Sequence, residues 1–211
     1  MKRIWFTSDH HFGHKNILKY TNRPFTSVHE MNKALTENWN NTVGENDTVY
    51  YLGDFGLTGI KNLESIYNRL NGKKILVPGN HDPNRVHRLF DGVVIPLFEL
   101  RVDGEKHPIS LCHFPMRSWN GSHRGAIHLH GHSHGDADFW GGALDVGVDS
   151  IANLMALKIN GKPEERVVLP EYYKPVSLDE VKMFIVLING YVAGTRATGS
   201  LHHENNFKGA E

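Results

Sequence analysis

Five short apolar runs in this 211-residue chain end alike, each followed closely by residues that carry a metal-binding oxygen or imidazole nitrogen. Ile4–Thr7 leads into Asp9 and His11, residues 48–52 into Asp54, and residues 73–77 into Asn80 and His81. The run that closes at Cys112 is followed by His113, and residues 126–130 by His132 and His134. Runs this short, rich in β-branched and aromatic residues, predict strands. Such a chain is expected to fold around sheets whose strand ends share one edge, the place where open α/β architectures gather their sites.

The segments between the strands carry helix signals. Ser27 and Glu30 stand at capping-box spacing, and Met31, Leu35 and Trp39 continue at helical intervals. A second helix is expected from Ile60 to about Leu70, stopped by Asn71-Gly72. This alternation predicts parallel pairing in the first half. Further on, residues 93–102 and 108–112 read as a hairpin around Asp103-Gly104-Glu105-Lys106, and residues 126–130 and 143–148 as two more strands. Ser177 and Glu180 form a second capping box, opening a helix expected to reach Leu187. Residues 1–188 are expected to form one domain, and the Gly-rich, polar residues 189–211 a flexible tail.

Composition narrows the function classes. Lys and Arg number 23, as do Asp and Glu, so no global field draws the chain to nucleic acid or an anionic membrane. One cysteine, Cys112, excludes an intramolecular disulfide framework and a Cys-rich zinc site, and reads as a small buried residue. No run is long enough to span a bilayer, and Ser8-Asp9-His10 cuts short the only apolar start a signal peptide could use. A cytoplasmic protein is expected. The unusual count is histidine, at 15.

The strand-end residues offer oxygen and imidazole nitrogen but no sulfur, which suits manganese, iron, zinc or similar divalent ions. In extended chain, residues two apart point the same way, so Asp9 and His11 can share an ion, and so can His132 and His134. His10 then stands behind a ligand or on the surface, and His14 either faces the substrate or serves the structure. Seven candidates (Asp9, His11, Asp54, Asn80, His113, His132, His134) are too many for one ion with room for substrate. They fit two ions if Asp54 bridges, because a carboxylate has two oxygens and an imidazole one free nitrogen. Two ions roughly 3.5–4 Å apart can hold a shared hydroxide and clamp a phosphoryl oxygen, a route to phosphate ester hydrolysis. Arg23, Arg117 and Arg124 are candidates to contact phosphate, each weighed against an ordinary surface role, and Trp119 to stack on a ring.

Taken in order, Asp9-His10-His11, Gly53-Asp54, Gly79-Asn80-His81-Asp82, His113 and Gly131-His132-Ser133-His134 resemble the calcineurin-like metallophosphoesterases. The resemblance covers residues 4 to about 150 and is strongest to the small bacterial and phage type. It implies a four-layer αββα sandwich, two mixed β-sheets flanked by helices. It also implies one ion on Asp9, His11, Asp54 and His134, and another on Asp54, Asn80, His113 and His132. His81 would assist the departing oxygen as a general acid, and Asp82 would orient His81 or its loop, or cap a turn. The strings Gly53-Asp54-Phe55-Gly56-Leu57 and Gly79-Asn80-His81-Asp82 depart from the Ser/Thr phosphatase pattern, and Leu57 replaces the tyrosine of purple acid phosphatases.

The expected activity is therefore that of a hydrolase acting on ester bonds of phosphate mono- or diesters, small and nucleotide-like or otherwise of low molecular weight. Its two divalent ions would be manganese first, with iron, zinc, nickel or magnesium as alternatives. A nuclease acting on DNA or RNA is the alternative, and the balanced charge speaks against it. A scaffold that keeps metals only for stability is the third reading, against which the intact His81 speaks.

Overall fold

In the computed structural model, which describes residues 2–137, 141–160 and 167–197, two mixed sheets are flanked by helices. Strands β1 (Ile4–Thr7), β2 (Thr48–Tyr51), β3 (Lys73–Leu76) and β4 (Gly92–Val93) lie parallel to one another. The second sheet takes β5 (Leu97–Leu100), β6 (Ile109–Cys112), β7 (His128–His130) and β8 (Ala143–Asp145) in that order. There β5 and β6 form the expected antiparallel hairpin, while β6, β7 and β8 are parallel. Antiparallel β9 (Val176–Ser177) completes the first sheet beside β1. The helices are α1 (Ile17–Tyr20), α2 (Val28–Thr42), α3 (Ile60–Tyr67), α4 (Asn84–His87), α5 (Val148–Asn160) and α6 (Leu178–Ala197).

Strand alternation sorts the core into two parts. Trp5, Val49, Tyr51 and Leu76 meet Met31, Leu35 and Trp39 of α2 and Leu63 of α3. Phe6, Leu52 and Val77 turn the other way and pack with Leu111, Leu129 and Leu144 of the second sheet, joined by Val181 and Phe184 of α6. Both capping boxes start their helices. Ser27 accepts from the Glu30 amide at 3.1 Å, though Glu30 reaches back to Thr26 rather than Ser27. Ser177 and Glu180 satisfy each other's amides reciprocally at 3.2 and 2.8 Å.

Several boundaries differ from expectation, each for a local reason. Residues 93–102 are not one strand: Pro96 has no amide to donate, and the chain leaves the first sheet at β4 and joins the second at β5. The α3 helix ends at Tyr67, and the chain tightens into bonds from Arg69 to Ile66 and Leu70 to Tyr67 before Gly72. Residues 143–148 split after β8, and Val148 opens α5, a helix the apolar pattern had concealed. The α6 helix continues through Asn189 and Gly190 to Ala197, and residues 198–211 lie outside the described residues. Cys112 is buried, as read from the sequence. Among the described residues no helix is long and apolar enough to cross a membrane.

Candidate metal centre

The loops after β1, β2, β3, β6 and β7 meet at one end of the two sheets. Backbone bonds lace them together: Asp9 to Gly53, His11 to Asp54, and Gly131 to His113, at 2.9–3.2 Å. The approach is close enough to require glycine. A methyl group on Gly131 would collide with Ser8 Oγ and the Asp9 carboxylate, and one on Gly79 with Asp54 Oδ1. On Gly53 it would meet His113 Nδ1 at 2.5 Å.

All seven expected ligands converge here. Asp9, His11 and His134 place ligand atoms within 4.8 Å of one another, and so do Asp9, Asp54 and His113. Asp54 Oδ2 lies 3.6 Å from His11 Nε2 and 3.6 Å from His113 Nε2. Asn80 Oδ1 is 2.9 Å from His113 Nε2 and 3.0 Å from His132 Nδ1. The route to this convergence corrects the expectation of extended chain. Among the described residues six non-glycine residues have positive φ; five are Asp9, His11, Asp54, His132 and His134. Alternate left-handed residues in tight turns, not strand pleating, aim each pair at the cluster. Such conformations carry of order 1–3 kcal/mol of strain each and gather at functional sites.

The polar atoms themselves show what the cluster could hold. Asp9 Oδ2 accepts from Ser8 Oγ at 2.6 Å and the His132 amide at 2.9 Å, whereas Asp9 Oδ1 and His11 Nε2 are buried without a partner. Burial, then Asp145, pushes the Asp9 carboxyl well above the usual carboxylate range. Burial, then Arg23 and His134, pushes the His11 imidazole down to about 2, so it is a neutral lone-pair donor. His113 Nδ1 lies 2.7 Å from the Leu52 carbonyl and donates to it, which leaves the Nε2 lone pair facing Asn80 and Asp54 oxygens. His134 Nδ1 is fixed likewise by Asp149 Oδ2 at 2.7 Å. Acceptors facing acceptors in a buried site are costly. A divalent cation, with ligand bonds of about 2.0–2.2 Å to nitrogen and oxygen, would satisfy these atoms together.

The surrounding residues sort differently from the sequence reading. Arg23, a candidate for phosphate, is buried: it grips Asp149 bidentately at 2.8 and 2.7 Å and donates to the Asp9 and His10 carbonyls. Its charge is held inside the protein, braced under the loop after β1. Trp119 cannot stack on a substrate ring, because it is buried against His128 and donates to the Ala126 carbonyl. His10 is not at the surface; it is fully buried among Phe12, Trp39 and Tyr51, with Nδ1 3.0 Å from the Tyr51 hydroxyl. His128 takes a structural role between the Ser110 carbonyl and the Met116 amide. His14 and His81 stand with ring centres 5.4 and 5.8 Å from that of His11, and His81 is exposed. The His81 amide donates to Asp54 Oδ1 at 2.9 Å. Arg117 and Arg124 are exposed on the segment that follows His113.

Three carboxylates complete the support. Asp82 caps the turn, accepting from the Asp54, Phe55 and Gly79 amides at 2.7–3.0 Å, so it orients the loop and not the His81 ring. Asp145 accepts from Ser133 Oγ and the Gly135 and Gly147 amides, which turns Ser133 away from the cluster. Asp149 joins Arg23 to His134. Sequence reasoning missed Asp145 and Asp149, although Asp145 closes β8 and Asp149 follows it in the first turn of α5.

No family model matches the chain. An uncharacterized protein of Methanocaldococcus jannaschii is 49% identical over 84 residues, 39% of this chain and 48% of that protein, so the match spans about half of its length. The gene 66 proteins of mycobacteriophages L5 and D29 are 31% and 34% identical, over 64% of this chain and 78% and 79% of theirs. Among solved structures, a protein of unknown function from Aquifex aeolicus shares the fold, with a TM-score of 0.61, 23% identity, and coverage of 87% of this chain and 99% of that one.

Proposed function

The chain belongs to the family of the mycobacteriophage gene 66 proteins, and from its site we infer a metal-dependent hydrolase of small phosphate mono- or diesters, of the calcineurin-like metallophosphoesterase type. The observation that carries this reading is Asp54 Oδ2 set 3.6 Å from each of two imidazole nitrogens, beside an unpartnered Asp9 Oδ1. Asp9, His11, Asp54 and His134 would hold one ion, and Asp54, Asn80, His113 and His132 the other. Bound there, divalent ions such as Mn²⁺ supply Lewis acidity at phosphoryl oxygens and water of lowered pKa. The two mixed sheets with outer helices support the four-layer sandwich of that superfamily.

The chain's own residues supply the rest. Exposed His81 is anchored through its amide on Asp54, and its ring is free to approach the ester oxygen that departs and give it a proton. Half-buried His14 stands beside it, and burial, then His81, lowers the pKa of His14. The neutral Asn80 amide adds a dipole near the phosphoryl group without more negative charge.

Treatment with a chelator is expected to abolish hydrolysis of an aryl phosphodiester, and Mn²⁺ to restore it. His81→Ala should bind metal normally yet lose about 10²–10⁴-fold in kcat, the range for a general acid. Undiminished activity of the metal-free protein would sink the reading, as would a His81→Ala variant as fast as the parent.

A further inference from the structure

A cleft of about 410 Å³ opens beside His134, walled by Tyr20, Asn22, Asp136, Asn153 and Tyr173. It adjoins the candidate centre on the side of the His14 ring, which meets the Tyr20 ring edge-on at 6.2 Å. Tyr20 ends α1 with 70% of its surface exposed, an aromatic face turned to solvent at the mouth of a polar site. Asn22 follows in the left-handed conformation, φ 50°, which bends the chain so that Arg23 dives into the interior and Asn22 stays at the rim. Opposite, Asn153 donates one amide hydrogen to the Asp149 carbonyl at 3.0 Å and, among the described residues, retains its other donor and its carbonyl oxygen.

The charge of this cleft is as informative as its shape. Among the described residues no lysine or arginine lines it, and Asp136 adds a carboxylate. The Arg23 guanidinium lies beneath the Tyr173 ring and is committed to Asp149. A second phosphate or a nucleic-acid backbone would find no counter-charge among these described residues. A flat, uncharged ring with hydrogen-bonding edges would find an aromatic platform and two side-chain amides, the means by which proteins hold unstacked bases.

We propose that this cleft holds the nucleoside portion of a mononucleotide-type phosphoester, with its base against Tyr20 and its single phosphoryl group at the metal centre. The assignment rests on the phosphoesterase reading above and narrows its substrate class. The test compares the Mn²⁺-loaded parent, Tyr20→Phe and Tyr20→Ala on thymidine 5′-(4-nitrophenyl phosphate) and methyl 4-nitrophenyl phosphate, which release the same nitrophenol. The parent and Tyr20→Phe should prefer the thymidine ester by about tenfold or more in kcat/KM, the scale of one base–aromatic stack. In Tyr20→Ala that ratio should fall toward one. Calorimetry should show the same loss in affinity for thymidine 5′-monophosphate relative to inorganic phosphate. A parent without preference, or a ratio that Tyr20→Ala does not move, overturns the assignment while the phosphoesterase reading stands. A parent that cleaves neither ester overturns both.

Discussion

Asp54→Asn is expected to empty the centre of metal and to lower kcat/KM for an aryl phosphodiester by roughly a thousandfold, on the order of 4 kcal/mol of lost transition-state stabilisation. Asparagine keeps the shape and keeps the Oδ1 acceptor that holds the His81 amide. What it loses is the anionic Oδ2 that faces His11 and His113 at 3.6 Å each. The fold should survive, and the direction of the effect on stability is itself diagnostic. In the metal-free chain Asp54 is one of the like charges that hold the Asp9 carboxyl high, after burial and Asp145. Neutralising it should leave the Tm of the chelated protein unchanged or slightly raised, while the Tm gain on adding Mn²⁺ disappears. Metal content by elemental analysis and melting with and without Mn²⁺ read the two halves separately. A variant that binds metal normally, or whose chelated form melts well below the parent, would contradict the role given to Asp54.

Much of this site is legible in the sequence because strand ends are cheap to recognise. Apolar runs such as Ile4–Thr7 stop abruptly at polar residues, and parallel pairing of β1, β2 and β3 brings their ends to one edge. Spacing separates Asp9 and His11 from His10, and His132 and His134 from Ser133, but on a premise of extended chain that the backbone does not bear out. The pairs face together through left-handed turns, a conformation that residue type alone does not announce when the residues are aspartate and histidine. Glycines 53, 79 and 131 were visible, yet their need to let neighbouring loops touch the ligands arises only from three-dimensional approach.

The misread residues share a physical cause. Arginine is mostly exposed, and Arg23 sits in a polar stretch, so an anion-binding role was the natural inference. What buries it is Asp149, 126 positions away, and a long-range pair of this kind leaves no local pattern. Trp119 was likewise read from its neighbour Arg117, whereas its place is set by the Ala126 carbonyl and His128. The α5 helix was hidden because its buried apolar residues, Val148, Ile151, Ala152, Leu154 and Ala156, spread over more than one side of the helix and leave no clear polar face.

Asp149→Ala is expected to cost about 3–5 kcal/mol of folding stability, since it deprives the buried Arg23 guanidinium of its carboxylate and leaves it the Asp9 and His10 carbonyls, the Met31 sulfur and the Tyr173 ring. The Arg23 and Asp149 side chains are 0% and 2% exposed, so water cannot replace the missing partner without opening the core. The pair is not required for stability as such. Replacing both members by apolar residues, Arg23→Met with Asp149→Leu, should recover most of the loss, because a buried pair and a well-packed apolar substitute are often comparable. Metal affinity should not recover with it. In the double variant His134 lacks the carboxylate that fixes its Nδ1 proton and aims its other nitrogen at Asp9 and His11, and such supports are typically worth 10–100-fold in metal binding. Urea titrations of the chelated proteins measure the first effect without the contribution of bound metal, and Mn²⁺ titrations of the folded proteins measure the second. Asp149→Ala within 1 kcal/mol of the parent would mean that Arg23 finds another partner. A double variant with parental metal affinity would mean that His134 is aimed by the loop alone, through Asp145 and the left-handed turns. The two measurements divide the work of one carboxylate, which couples the stability of the loop after β1 to the geometry of the loop after β7.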